Sequence, residues 1–336
     1  MSNAAESKSK LSPAETLRYG AEAALFFAFI GLFRVLGVER ASALGGFMGR
    51  NIAARSRVSK RARDNLAAAY PDMSEAERDA ILAEMWDNLG RVAGEYAHLD
   101  KMSLNGPDPR MEVVGQEHIR RAQEAGRGII FVSGHFANWE TMPFAAAQLG
   151  LESGEVYRPL NNPFVDRWIV KQRMANGPKE QIAKGAQGTR RIFTMLRGGK
   201  AILLLADQKT NEGLPVPFFG RTAMTTPAPA VFALKLGAAV LPASNERLPG
   251  PRFRMTVHPP IEYAKSGDHD RDVFELTQKI NDAIEACVRY RPSQWLWIHR
   301  RWPSGAADVP RSRRGLEAQA LGGSGVTAES EGSSGV

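Results

Sequence analysis

Short apolar runs alternating with helical stretches constrain this chain more than any other feature. The runs are Met111–Val114, Gly128–Ser133, Ala201–Ala206, Ala238–Ala243 and Phe253–Val257, each bounded by turn residues. Helical patterns separate them, over 117–125, 140–149, 164–175, 187–197, 228–236 and 271–289. Parallel strands need crossover connections, and crossover helices cover both faces of the sheet they join. The expected fold is therefore α/β, a mostly parallel central sheet flanked by helices. Ahead of the first run, Ser74 reads as the N-cap of a helix over 74–99. Glu77 stands at the capping-box position, and Ile81, Leu82, Met85, Leu89 and Val92 recur at helical spacing.

Charge is distributed unevenly along the 336 residues, which carry a formal +8. Residues 1–63 hold 11 Lys and Arg against 4 Asp and Glu, and residues 289–314 hold 7 Arg against one Asp. The body between them is nearly neutral. No recognition helix, finger or aromatic RNA-binding motif accompanies the basic ends, so nucleic acid is not an expected partner. Basic clusters beside apolar sequence suit an anionic membrane surface instead. One cysteine, Cys287, excludes an intrachain disulfide and a CxxC site.

The apolar sequence in question runs from Ala21 to Val38, with Phe26, Phe27, Phe29 and Phe33 and only Glu22 and Arg34 charged. A bilayer span needs roughly 20 such residues. No small-x-small cleavage site follows the run, and basic residues lie on both sides. The favoured expectation is an uncleaved helix embedded in the cytoplasmic leaflet. A short or tilted span and a buried core helix are the alternatives. The division expected is a basic segment with a membrane-associated helix over 1–63, an α/β domain over 64–303, and a disordered Gly/Ser-rich tail over 304–336.

Chemistry concentrates in Arg127-Gly-Ile-Ile-Phe-Val-Ser-Gly-His135-Phe-Ala-Asn-Trp-Glu140. A buried strand ends at Ser133-Gly134, so His135 falls at the carboxyl edge of the sheet, where open α/β folds bind ligands. Five residues of ideal helix turn through about 500°, so His135 and Glu140 do not stack if both are helical. With His135 in the loop and Glu140 in the first turn, the carboxylate reaches back to one ring nitrogen. The other nitrogen is then free to take a proton from a substrate hydroxyl. A lone histidine after a strand is, taken alone, most often structural, and a Glu there favours a helix N-terminus. Zinc is not expected: there is no HExxH, and the other histidines are scattered. The GxSxG elbow is also absent around Ser133.

This segment, read as HX4E, resembles the signature of the lipid A biosynthesis acyltransferases, relatives of the glycerolipid acyltransferases that use HX4D. Four further segments resemble the family's pattern in the same order, across roughly residues 15–303. They are Val156-Tyr-Arg-Pro-Leu-Asn-Asn-Pro163, Lys184-Gly-Ala-Gln-Gly-Thr-Arg-Arg191, Leu205-Ala-Asp-Gln-Lys209 with Pro217-Phe-Phe-Gly220 and Thr225-Thr-Pro227, and Gln294-Trp-Leu-Trp-Ile-His-Arg-Arg-Trp302. A Phe-Pro-Glu-Gly-Thr-Arg-like phosphate block is absent, which speaks against glycerol 3-phosphate as acceptor.

The resemblance implies a glycerolipid-acyltransferase-like fold. It implies transfer of a fatty acyl chain from acyl-carrier protein to a hydroxyl of a lipid A precursor, at the cytoplasmic face of an inner membrane. Another phospholipid or glycolipid acceptor, with acyl-CoA as donor, is the alternative. His135 would be the general base and Glu140 would fix its tautomer, with no covalent acyl-enzyme, no metal and no cofactor. Arg158 would stabilise the oxyanion or hold a phosphate. Asn161, Lys184, Arg190, Asp207 and Gln208 would bind or position substrate. Trp295 and Trp297 are expected in the core on a last strand, with His299 and Arg301 pointing away; a membrane-interface role for this Trp/Arg cluster is the alternative.

Overall fold

Strand β2 (Ile129–Ser133) is buried at all five positions and lies near the middle of the sheet. The computed structural model describes residues 11–302. On one side β2 pairs in parallel with β5 (Ala201–Leu205), followed by β3 (Ser153–Tyr157) and β4 (Glu180–Ala183), all parallel. On its other side lies β8 (Ala239–Leu248), also parallel, then β9 (Arg252–Val257) antiparallel to β8, and β1 (Met111–Val114) parallel to β9. The seven-stranded sheet is thus mostly parallel, as expected. β6 (Leu214–Phe218) and β7 (Arg221–Thr225) form a separate antiparallel hairpin.

Each of the five apolar runs becomes a strand, while β3, β4 and the hairpin lack that signature. β3 and β4 are only partly buried and carry Glu155, Glu180 and Gln181. Alternation along β2 and β5 sends Ile130, Val132 and Ile202 to one face. They pack there against α8 (Ala186–Arg197), α9 (Ala228–Leu236) and α10 (His269–Tyr290). Ile129, Phe131, Ala201 and Leu203 face the other layer, built on α5 (Gln116–Glu124) and α6 (Thr141–Gln148). Burying each large apolar side chain contributes about 1.5–3 kcal/mol.

The N-terminal third is helical: α1 (Pro13–Leu36), α2 (Val38–Asn51), α3 (Val58–Ala69) and α4 (Glu75–Glu95). Ser74 and Glu77 form the expected capping box at the start of α4. Small residues let α2 and α4 meet backbone to backbone. A Cβ on Gly45 would stand 2.2 Å from the Gly90 carbonyl oxygen, and one on Gly94 would stand 2.3 Å from that of Ala41. This seam fixes α4, whose last turn reaches the carboxyl edge of the sheet. The boundary expected at residue 63 falls inside α3, which packs its Asn65 side chain on the Trp297 carbonyl.

Helix α1 lies along α7 (Pro163–Asn176) with one stripe inward. Ala23 and Phe33 are buried, Phe26 meets Trp168 edge-on at 5.3 Å, and Asn162 donates to the Tyr19 carbonyl at 2.9 Å. Its opposite face exposes Leu17, Leu25, Leu32 and Val35. Among the described residues it is the one helix long and apolar enough to cross a membrane, and only 17% of its apolar window is buried. That exposure is the reverse of a core helix. The expected tail over 304–336 lies outside the described residues.

Candidate active site

The register of β2 against β5 builds the site. Ser133 pairs with Leu205, so two residues further along each strand His135 and Asp207 emerge side by side. Asp207 Oδ2 accepts from the His135 backbone N–H at 2.8 Å, and Oδ1 accepts from ring Nδ1 at 2.9 Å. Trp295 Nε1 donates to the same carboxylate at 2.9 Å. Asp207 is 1% exposed and three donors converge on it, so it is held as an anion in a nearly dry site. Burial alone would raise its carboxyl, but the His135 imidazole and its hydrogen bonds hold it well below the usual carboxylate range.

This geometry corrects the expected partnership of His135 and Glu140. Glu140 precedes α6, and its carboxylate turns away to accept from Arg173 Nε at 2.8 Å and Nη2 at 2.6 Å. It also accepts from the Tyr96 hydroxyl and from Trp139 Nε1. Burial pushes the Glu140 carboxyl upward, and the Arg173 charge with these donors more than offsets it, leaving it below the usual range. The nonlocal carboxylate therefore wins the His135 ring, because strand pairing brings Asp207 directly alongside it. A pairing between β2 and β5 leaves no trace in local spacing.

The turn that presents His135 is braced from outside the sheet. Ala137 has a left-handed φ of 46°, which costs of order 1 kcal/mol or more and needs support from neighbours. Asn88 donates to the Ala137 carbonyl at 3.1 Å, Asn138 donates to Glu95 at 2.9 Å, and Arg247 pairs with Glu95. Both Asn88 and Glu95 belong to α4, so the glycine seam reaches the site through them.

His135 opens on a cavity of about 690 Å³ that straddles the carboxyl edge of the sheet. On one face it is walled by Phe131, Met142, Leu203 and Met255, and on the other by Ile192, Leu204 and Phe232. Arg158 follows β3 and Lys184 follows β4, so both line the cavity beyond Asp207 in sheet order. Asn161 lines its rim, and Gln208 its floor beside His135. Arg190 is exposed on α8 and is not among the lining residues. Of the segments Pro217–Gly220 and Thr225–Pro227, Thr226 lines the cavity, whereas Phe218 and Phe219 are core residues. Among the described residues no group of three or more His, Cys, Asp or Glu is arranged to hold a metal ion.

Glu155 also lines the cavity, 3.6 Å from Arg173. Burial and the neighbouring Glu140 push its carboxyl up to about 7, against the attraction of Arg173. One guanidinium thus neutralises one of two carboxylates, and the other retains its proton into the neutral range. Glu155 was not an expected site residue, since a single Glu inside a short strand carries no signal.

The C-terminal segment departs from the expected strand. Its pairing with the sheet domain is a single antiparallel bridge between Phe136 and Trp295, after which the chain turns. Trp295 and Trp297 are buried as expected. His299 and Arg301 do not point away; they share the parity of Trp295 and Trp297, so period-2 alternation itself would set all four on one face. Arg301 is fully buried, donating to Thr225 Oγ1 and Asn281 Oδ1, and burial pushes it down to about 10. The His299 ring lies 5.1 Å from that of His135.

Comparison with known proteins agrees with this architecture. The family described as bacterial lipid A biosynthesis acyltransferase matches residues 9–304. The lipid A biosynthesis lauroyltransferase of Escherichia coli K12 is 29% identical over 256 residues, covering 73% of this chain and 79% of the relative. The palmitoleoyltransferase of the same organism is 29% identical over 271 residues, covering 76% and 84%. A phosphatidylinositol mannoside acyltransferase of Mycolicibacterium smegmatis is 26% identical over 287 residues, covering 84% and 92%. A match of that extent, on a mostly parallel sheet with a histidine at its carboxyl edge, means that the chain is an O-acyltransferase and belongs to the bacterial lipid A biosynthesis acyltransferase family.

Proposed function

We propose that this protein transfers a fatty acyl chain from an acyl-carrier-protein thioester to a hydroxyl of a lipid A precursor, with His135 as general base oriented by Asp207. The observation that carries this reading is the Asp207 hydrogen bond to Nδ1, which leaves Nε2 facing the cavity as the acceptor nitrogen. As the hydroxyl oxygen attacks the thioester carbonyl, its proton passes to Nε2. The carboxylate keeps the ring in that tautomer and stabilises the imidazolium that forms. Collapse of the tetrahedral intermediate breaks the C–S bond, and the imidazolium returns the proton to the leaving sulfur. Glu140 acts at one remove, holding Arg173 in the cavity wall. Arg158 and Lys184, at the ends of β3 and β4, suit the phosphates of the acceptor or an acidic carrier.

The exposed apolar face of α1 supports attachment to the cytoplasmic face of the inner membrane. Because α1 also packs on α7, deleting it would uncover part of the body. Leu25→Glu with Leu32→Glu tests attachment more cleanly: these side chains are exposed, so the fold should persist while the protein moves from membrane pellet to supernatant. Unchanged pelleting would remove α1 as the anchor.

Transfer is tested with purified full-length protein, lauroyl thioesters of acyl-carrier protein and of CoA, and lipid A precursor in mixed micelles. The expected product is acylated precursor, formed faster from the carrier protein at low salt and absent with His135→Ala. Full activity of His135→Ala would sink the mechanism. The mycobacterial relative makes a phosphatidylinositol mannoside the informative competing acceptor, and preference for it would reassign the substrate.

A further inference from the structure

Gln208 holds two histidines at once. Its Nε2 lies 3.1 Å from His135 Nε2 and 2.9 Å from His299 Nε2. His135 donates Nδ1–H to Asp207, so its Nε2 bears a lone pair, and an amide nitrogen with two hydrogens can serve that lone pair and one on His299. Burial pushes His299 down to about 4, so this ring is neutral and can accept. The amide therefore sits where substrate must arrive. An incoming hydroxyl has to displace it from His135, whereas His299 still holds it from the side.

The transfer also needs a donor for the oxyanion, and the backbone N–H groups from His135 to Ala137 are all taken. The His135 N–H is taken by Asp207, that of Phe136 by the Gly134 carbonyl at 2.8 Å, and that of Ala137 by the Gln294 carbonyl at 2.8 Å. Trp139 Nε1 is committed to Glu140. Arg158 follows β3, two strands from β2, which places its backbone about 10 Å across the sheet. Gln208 follows the adjacent strand β5, and its nitrogen already lies within hydrogen-bond range of the base.

We propose that Gln208, pinned by His299, is the oxyanion donor of the acyl transfer and that His299 is its positioning residue. The inference rests on His135 being the base. When the acceptor hydroxyl takes the Nε2 lone pair, the released amide hydrogen turns to the thioester carbonyl while its twin stays on His299. The new O–C bond forms as the proton moves to Nε2, and the charge developing on the carbonyl oxygen is met by the Gln208 N–H. Expulsion of the thiolate, which takes the proton from His135, restores the carbonyl and returns the amide to His135. This role replaces the one expected for Arg158, which is left to the phosphates.

The test is steady-state kinetics of full-length variants with lauroyl-acyl-carrier protein and lipid A precursor, with thermal melts to confirm folding. Gln208→Ala should lose about 100-fold or more in kcat with KM nearly unchanged, as loss of one oxyanion donor does. Gln208→Glu, nearly isosteric, should be at least as poor because it brings a negative charge to the oxyanion. His299→Phe fills the same space without an acceptor and should lose about tenfold in kcat, a loss that His299→Gln should largely recover. Gln208 variants that change only KM, or a His299→Gln no better than His299→Phe, would overturn the proposal. If His135→Ala kept full activity, the general-base reading itself would fail; with that variant dead and the Gln208 variants fully active, only the present inference falls.

Discussion

Two carboxylates border His135, and they occupy opposite kinds of site. On the β5 side, Asp207 faces an imidazole, a backbone N–H and an indole, all within 2.9 Å. On the α6 side, Glu140 faces a full guanidinium, with a second carboxylate, Glu155, beyond it. The first arrangement puts negative charge where, in the mechanism we propose, a cation appears only during transfer. The second balances a permanent cation. The difference teaches that proximity in sequence and proximity in space are separate: Glu140 is five residues from His135 and pairs with Arg173, whereas Asp207 is 72 residues away and holds the His135 ring.

That contrast is open to attack from both sides. The largest effect is expected at Asp207→Asn, which keeps the shape but allows the wrong ring tautomer; kcat should fall by about 10³–10⁴-fold, measured in the acyl-transfer assay. Glu140→Gln should be felt first in stability, because it leaves Arg173 buried with less compensation. Breaking such a pair costs about 3–5 kcal/mol, read from urea unfolding. Glu140→Leu with Arg173→Leu should recover much of that loss, whereas no second change at Arg173 should rescue Asp207→Asn.

The smallest effect lies in the pH dependence of stability, where the two sides have opposite signs. Asp207 titrates below its ordinary value in the folded protein, so the stability it contributes is present above about pH 4 and lost as the pH falls. Glu155 is pushed up to about 7, so its contribution is complete below its unfolded value of 4.5 and is lost as pH rises towards 7. Glu155→Gln should flatten the decline between those values, and Asp207→Asn should flatten the acid limb. Melting curves across pH 3–8 check both. A decline near pH 7 that survives Glu155→Gln would assign it to another group.

Much of the fold was legible because apolar runs and helical periods are local signals. The five strand runs, the Ser74 capping box and the placing of His135 at the sheet edge all followed from spacing. The site was legible in its members more than in its bonds. Asp207 and Gln208 were marked as substrate-positioning residues through the resemblance, yet their grip on His135 depends on β2 lying beside β5, which no periodicity reports. His299 and Arg301 were turned the wrong way because residues two apart share a face, so 295, 297, 299 and 301 belong together rather than on opposite sides. The Ala41, Gly45, Gly49 stripe and its counterpart Gly90, Gly94 went unread, and the observed contact reveals that they meet and brace the turn through Asn88 and Glu95.

The central claim is that Asp207, not Glu140, fixes the tautomer of His135. Nitrogen-15 NMR of the imidazole rings, assigned with His135→Gln, reads this directly. A strongly hydrogen-bonded Nδ1–H with an unprotonated Nε2 is expected in the resting enzyme at mildly alkaline pH. It should persist in Glu140→Gln and disappear in Asp207→Asn; the opposite pattern would contradict the account.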